Sequence, residues 1–157
     1  MAQDKIKTRE ELAEILNSLK GNKRVVFTNG CFDVLHRGHI EYLYFAKKLG
    51  DLLVVAVNSD ESVRKLKGEG RPINKLEDRM AVLSSLEMVD YVIPFEEDTP
   101  YEVIKLLKPD IIVKGGDYTP DEVVGKDIVE GYGGKVVIAP YLKGYSTTEL
   151  LRRMKND

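Results

Sequence analysis

Both histidines of this 157-residue chain stand within one short segment, His36 and His39, with Gly38 between them and Gly30 upstream. Imidazole is the side chain that changes charge near neutral pH and can donate hydrogen bonds to an anion. Glycines at 30 and 38 let backbone approach a phosphate closely, and a helix opening there adds free N–H groups and the positive end of its dipole. Two other readings compete. One is a glycine turn with surface histidines; the other is a zinc site, for which only Cys31 and a carboxylate could join the two imidazoles. The pattern G-x-x-x-x-G-K-[ST] is absent, as is G-x-G-x-x-G, so neither a P-loop nor a dinucleotide fingerprint accounts for the segment. Phosphate handling by paired histidines remains, with no set of protein metal ligands expected.

Such a loop needs a strand before it and a helix after it, and the chain supplies both. Val25-Val26-Phe27-Thr28 is a continuous apolar and β-branched run, as buried parallel strands require, and a helical stretch follows through Ala46 to Gly50. The unit recurs. Leu52 to Val57, Tyr91 to Phe95, Ile111 to Val113 and Val136 to Ala139 read as four further strands. Ser59 to Leu66 and Glu77 to Leu86 read as helices. Helix starts are written as capping chemistry at Thr8-Arg9-Glu10-Glu11, Thr99-Pro100-Tyr101-Glu102, Thr119-Pro120-Asp121-Glu122 and Ser146-Thr147-Thr148-Glu149; the helix after Pro100 should stop before Pro109. Alternating buried strands and helical crossovers predict an α/β fold, a three-layer Rossmann-like sandwich around a five-stranded parallel sheet, with ligands at the carboxyl ends of the strands. The loops 29–39, 58–60 and 114–118 should emerge together on that edge.

Length fits a single domain, 1–157, with residues 1–21 forming an N-terminal helix and 22–157 the α/β core. A net charge of -2 with acidic and basic residues evenly mixed leaves no basic face for nucleic acid. The lone cysteine, Cys31, rules out an intrachain disulfide and fits a reducing compartment. No run approaches the roughly 20 apolar residues of a membrane span, and Met1 to Lys7 is polar, so the expected location is cytoplasmic, away from membranes.

The run Gly30-Cys31-Phe32-Asp33-Val34-Leu35-His36-Arg37-Gly38-His39 resembles the H-x-G-H signature of the cytidylyltransferase-like nucleotidyltransferases. The likeness continues through Asn58-Ser59-Asp60-Glu61-Ser62, Arg71-Pro72-Ile73-Asn74, Glu77-Asp78-Arg79, Asp98-Thr99-Pro100, Lys114-Gly115-Gly116-Asp117-Tyr118 and Tyr145-Ser146-Thr147-Thr148. Within that family it is most similar to the adenylyltransferase domains of the D-glycero-β-D-manno-heptose 1-phosphate pathway, found in many bacteria fused to a heptose kinase. The resemblance implies that ATP and a heptose 1-phosphate give ADP-heptose and pyrophosphate, a lipopolysaccharide core precursor. Glycerol 3-phosphate, FMN or a phosphopantetheine arm are alternative acceptors, and a non-catalytic nucleotide-binding module is the alternative outside catalysis. Where the glycerol-phosphate enzymes carry Arg-Thr-Glu-Gly, this chain has Tyr141-Leu142-Lys143-Gly144, which tilts the nucleotide from CTP toward ATP.

Residue by residue, the resemblance makes His36 and His39 catalytic, through hydrogen bonds to the α and β phosphates. It assigns Thr28, Asn29, Gly30, Cys31, Phe32, Gly38, Arg79, Gly116, Asp117, Ser146, Thr147 and Thr148 to nucleotide binding. Lys65 and Lys67 are candidates for substrate phosphate. Asp33 is a further substrate candidate; a turn residue or an anchor for the motif loop are its other readings, the anchor being favoured. For the others, plainer readings stand beside these: a capping box explains Ser146, a solvated charge Arg79, a turn the glycines after Lys114. Magnesium is expected, bound mainly through the ATP phosphates. A homodimer and a separate sugar kinase are partners that the likeness allows.

Overall fold

The computed structural model describes residues 1–19, 21–140 and 146–156. The chain opens with a 3-10 turn, Ala2–Lys5, and then helix α1, Arg9–Ser18, where Thr8 accepts from the Glu11 N–H at 3.1 Å and Glu11 returns the bond to the Thr8 N–H at 2.9 Å. Strand and helix then alternate as β1 Val25–Gly30, α2 Arg37–Lys47, β2 Leu52–Asn58, α3 Asp60–Lys67, α4 Leu76–Ser84, β3 Tyr91–Phe95, α5 Tyr101–Leu107, β4 Ile111–Lys114, α6 Lys126–Glu130, β5 Lys135–Ile138 and α7 Thr147–Asn156.

Every strand pair is parallel, in the order β3-β2-β1-β4-β5. Successive side chains of a strand face opposite layers, and the core divides accordingly. Val25, Phe27, Val54, Ala56, Ile93 and Ile112 pack with Leu12, Leu16, Val103, Ile104 and Val129 of α1, α5 and α6. Val26, Leu53, Val55, Val57, Ile111 and Val113 pack with Leu43, Ala46 and Leu83 of α2 and α4. This is the three-layer sandwich that the alternation predicts. Because β2 and β3 lie on one side of β1 and β4 and β5 on the other, crossovers reverse direction between β1 and β4. In open parallel sheets that switch point is where ligands bind.

Two expected helix starts shift. The segment 119–122 forms only a 3-10 turn, Pro120–Glu122, although Thr119 Oγ1 and N–H both donate to Glu122 at 2.7 and 3.0 Å. Val123 is already extended, and Gly125 turns with φ 93° where a Cβ would lie 2.7 Å from Ile104 Cδ1, so the helix restarts only at Lys126. At the other start Pro100 caps α5 itself, and the helix ends in a left-handed Lys108 before Pro109, as expected of a following proline.

Candidate active site

A cleft of about 660 Å³ opens at the carboxyl edge of the sheet, floored by the ends of β1, β2 and β4. The loop after β1 reaches it through Asn29, Gly30, Cys31, Phe32 and Asp33 and continues into α2 with His36, Gly38 and His39. Asn58 lines it after β2, the segment 114–118 after β4, and Ser146, Thr147 and Thr148 at the start of α7.

His36 is the N-cap of α2. Its Nδ1 accepts from the Gly38 N–H at 3.0 Å, and the His39 Nδ1 accepts from the His36 N–H at 3.2 Å. The two rings lie 4.0 Å apart. This is a capping box built from imidazoles, in which each side chain closes an orphan amide of the helix start. Because each Nδ1 is an acceptor, the proton of each neutral ring sits on Nε2, which makes that atom a donor. Burial lowers the His36 pKa; burial and then the neighbouring His36 lower that of His39 to about 4. Both rings are therefore neutral at pH 7, with the tautomer set by backbone.

A second helix N-terminus meets the first. Thr147 Oγ1 donates to the Val34 carbonyl at 2.8 Å, docking α7 onto the motif loop, while Ser146 Oγ accepts from the Glu149 N–H at 3.0 Å. Glu149 itself pairs with Arg152 at 2.5 Å. Two sets of N-terminal amides thus converge on one cleft, an arrangement that favours a polyanion.

Asp33 holds the motif loop rather than facing a substrate. Its carboxylate accepts from the Ile73 and Asn74 N–H groups at 2.7 and 2.8 Å and from Arg71 Nε at 3.1 Å. Burial would raise its pKa, but the bonds from Asn74, Ile73 and Arg71 outweigh it and the net shift is downward. Phe32, next to it, is left-handed at φ 48°, and its ring lies 3.0 Å from where a Cβ on Gly30 would stand.

Three expected ligand residues lie elsewhere. Arg79, only 1% exposed, does not reach the cleft; its guanidinium donates to the carbonyls of Cys31 and Asn58 at 2.8 Å, to that of Asn74 at 2.9 Å, and to Asp60 at 2.7 Å. It pins the loops after β1 and β2 to the start of α4. Thr28 is fully buried, donating to the Val113 carbonyl at 3.0 Å and bonded to the Tyr42 hydroxyl at 2.6 Å, so it joins β1, β4 and α2. Lys65 points away toward Glu61, at 4.0 Å, whereas Lys67 lines the cleft. The stretch 141–144 lies outside the described residues, as does Tyr145.

Sequence reasoning missed Tyr42 and, although it marked their motifs, gave no role to Arg71, Lys114 and Tyr118; all four line the cleft. Lys114 is partly buried at the end of β4, with Nζ 5.3 Å from the centre of the Tyr118 ring. Burial lowers its pKa, against the opposing pull of Cys31 and Asp117. Cys31 Sγ stands 4.0 Å from Asn58 Oδ1, and burial raises its thiol pKa.

A parallel α/β sheet with an H-x-G-H turn at its switch point defines a nucleotidyltransferase-type protein. The family model named Cytidylyltransferase-like matches residues 27–153. Two similar relatives are both called Bifunctional protein HldE. That of Trichlorobacter lovleyi is 53% identical over 154 residues, covering 98% of this chain and 31% of its own length. That of Campylobacter concisus is 56% identical over 154 residues, covering 98% and 32%. This chain spans about a third of the length of these curated relatives. Among solved structures, the lipopolysaccharide core biosynthesis protein from Thermoplasma volcanium is 37% identical with a TM-score of 0.65, over 80% of this chain and all of that one. Pantoate-beta-alanine ligase from Francisella tularensis, at 17% identity and TM-score 0.62 over 96% of this chain and 76% of its own, shares the fold. The chain belongs to the cytidylyltransferase-like family.

Proposed function

We propose that this chain transfers AMP from ATP to a sugar 1-phosphate, heptose 1-phosphate, releasing ADP-heptose and pyrophosphate for lipopolysaccharide core precursors. The observation that carries this reading is the reciprocal histidine cap at the start of α2, facing the same cleft as the start of α7. The likeness to bifunctional HldE proteins and to a lipopolysaccharide core biosynthesis protein supports the sugar.

The chemistry asks for positioning and charge stabilisation. An acceptor phosphate oxygen, ionised at neutral pH, forms a bond to the α-phosphorus as the α–β bridging bond breaks and pyrophosphate leaves. No general base is needed. The Nε2–H groups of His36 and His39 donate to phosphate oxygens whose charge grows in the transition state, and the positive ends of the α2 and α7 dipoles favour the rest of the triphosphate. Among the described residues no cluster of three or more His, Cys, Asp and Glu side chains could hold a metal. Magnesium would be bound mainly through the ATP phosphates, where it neutralises charge.

On this reading the enzyme works in the cytoplasm as a homodimer, on the product of a sugar kinase. Among the described residues no helix is long and apolar enough to cross a membrane. Pyrophosphate release with ATP and D-glycero-β-D-manno-heptose 1-phosphate, compared with CTP and glycerol 3-phosphate, tests the assignment. Turnover confined to the ATP and heptose pair is expected, and turnover only with CTP would overturn it.

A further inference from the structure

The cations lining the cleft are not equivalent. Arg71 is committed to Asp33 at 3.1 Å, and Lys67 closes the exposed end of α3. Lys114 differs from both. It stands at the end of β4, beside the switch point, partly buried; among the described residues its ammonium makes no side-chain hydrogen bond or salt bridge, lies 5.3 Å from the centre of the Tyr118 ring, and feels Asp117 only from beyond salt-bridge distance. An ammonium withdrawn from water without a carboxylate costs stability unless a ligand supplies the missing charge. The lowered pKa of Lys114 agrees with that placement.

We infer that Lys114 is the charge partner of the acceptor's phosphate, the group that attacks ATP. This rests on the nucleotidyl-transfer reading. ATP already has the amides of two helix starts and the donors of His36 and His39. The acceptor is a second polyanion that must come within bonding distance of the α-phosphate, and two such groups meet only where a cation stands close to both. Among the described residues Lys114 is the cleft-lining cation on the strand ends that neither a salt bridge nor open solvent has claimed.

The test uses Lys114→Met, which keeps the length and loses the charge, and Lys114→Arg, which keeps the charge. Equilibrium binding of the sugar 1-phosphate and of ATP is measured separately by calorimetry, beside the KM of each. Losing a charge-assisted contact should weaken the sugar phosphate roughly ten- to a hundredfold in K114M, with ATP affinity held within about twofold and partial recovery in K114R. The wild-type affinity for the sugar phosphate should also fall on raising the pH at a lower pH than an ordinary lysine would give. Unchanged sugar-phosphate binding in K114M, or a loss falling on ATP instead, overturns the assignment. Absence of turnover in the wild type with any nucleotide and acceptor would overturn the functional reading alone, since the binding arm decides the role of Lys114 without turnover.

Discussion

Replacing Arg79 by methionine separates a frame residue from a ligand. The guanidinium satisfies three backbone carbonyls, of Cys31, Asn58 and Asn74, and pairs with Asp60, which is itself 41% exposed. Water can rehydrate Asp60 after the change, so its contribution is discounted. Each buried carbonyl left without its donor costs about 1 kcal/mol or more, and the set as a whole about 3–5 kcal/mol. Against a domain stability of about 5–15 kcal/mol that is a large fraction, and in melting temperature it corresponds to roughly 6–20 °C. Urea unfolding followed by far-UV circular dichroism reads the loss. Pyrophosphate release should fall as well, because Arg79 sets the loop carrying Cys31 against the one carrying Asn58. Arg79→Lys should recover only part, since a single ammonium cannot span acceptors that the planar fork reaches together. A stability loss under about 1 kcal/mol with a rise in ATP KM above about tenfold would refute this account and make Arg79 a phosphate ligand.

His36→Asn should keep the cap and lose the chemistry: asparagine is a strong N-cap residue, so urea midpoints should stay near wild type while turnover drops roughly a hundred- to a thousandfold, whereas His36→Ala should also lose about 1 kcal/mol of stability. Equal stability losses in the two variants would show that the cap is not what His36 provides. For pH, the folded His39 titrates near 4 against an ordinary 6.5, so the unfolded chain binds the proton first and stability rises with pH across that window. On the order of 2 kcal/mol should be lost between pH 7 and pH 5 through His39, before the carboxylates contribute, and the slope should shrink in His39→Asn to the smaller part that His36 supplies; a flat unfolding midpoint in the wild type would contradict the burial of the His39 ring. Gly30→Ala places a methyl 3.0 Å from Phe32 Cε2, and that ring is buried on a left-handed backbone, so about 1–3 kcal/mol of destabilisation together with reduced turnover is expected in unfolding and pyrophosphate assays.

The sheet was legible because buried parallel strands are continuous apolar runs, and the runs beginning at Val25, Leu52, Tyr91, Ile111 and Val136 each became a strand within a residue or two. The cap at Thr8 was legible because its pattern is local. The turn at 119–122 misled because its capping residues are correct, while the halt comes from Val123 and from the packing of Gly125 on Ile104. At the site, spacing marked His36 and His39 but not the bonds through which their rings close the Gly38 and His36 amides at the start of α2, since histidine is outside the usual capping vocabulary. Arg79 and Thr28 looked like ligands in a motif; their partners are Asn58 and Val113, distant in sequence, and nothing local announces a contact that the fold creates, whereas Asp33 anchors its loop through Asn74 as the anchor reading has it. Lys114 read as the first residue of the loop after the fourth strand, whereas the strand runs on to include it.

The order of the sheet leaves β3 as an outer strand, and outer strands offer unpaired amides and carbonyls to any neighbouring chain. Here the edge is blunted twice. Ile6 bridges Val92 in parallel, with the Lys7 N–H on the Val92 carbonyl at 2.9 Å, and Pro94 withholds an amide from the same strand. Arg9 clamps the covering segment to Glu97 through two bonds of 2.6 and 2.7 Å. The stretch ahead of α1 therefore works as a guard against edge-to-edge polymerisation, at the margin of the sheet farthest from β5, while the carboxyl ends of the central strands stay open to solutes.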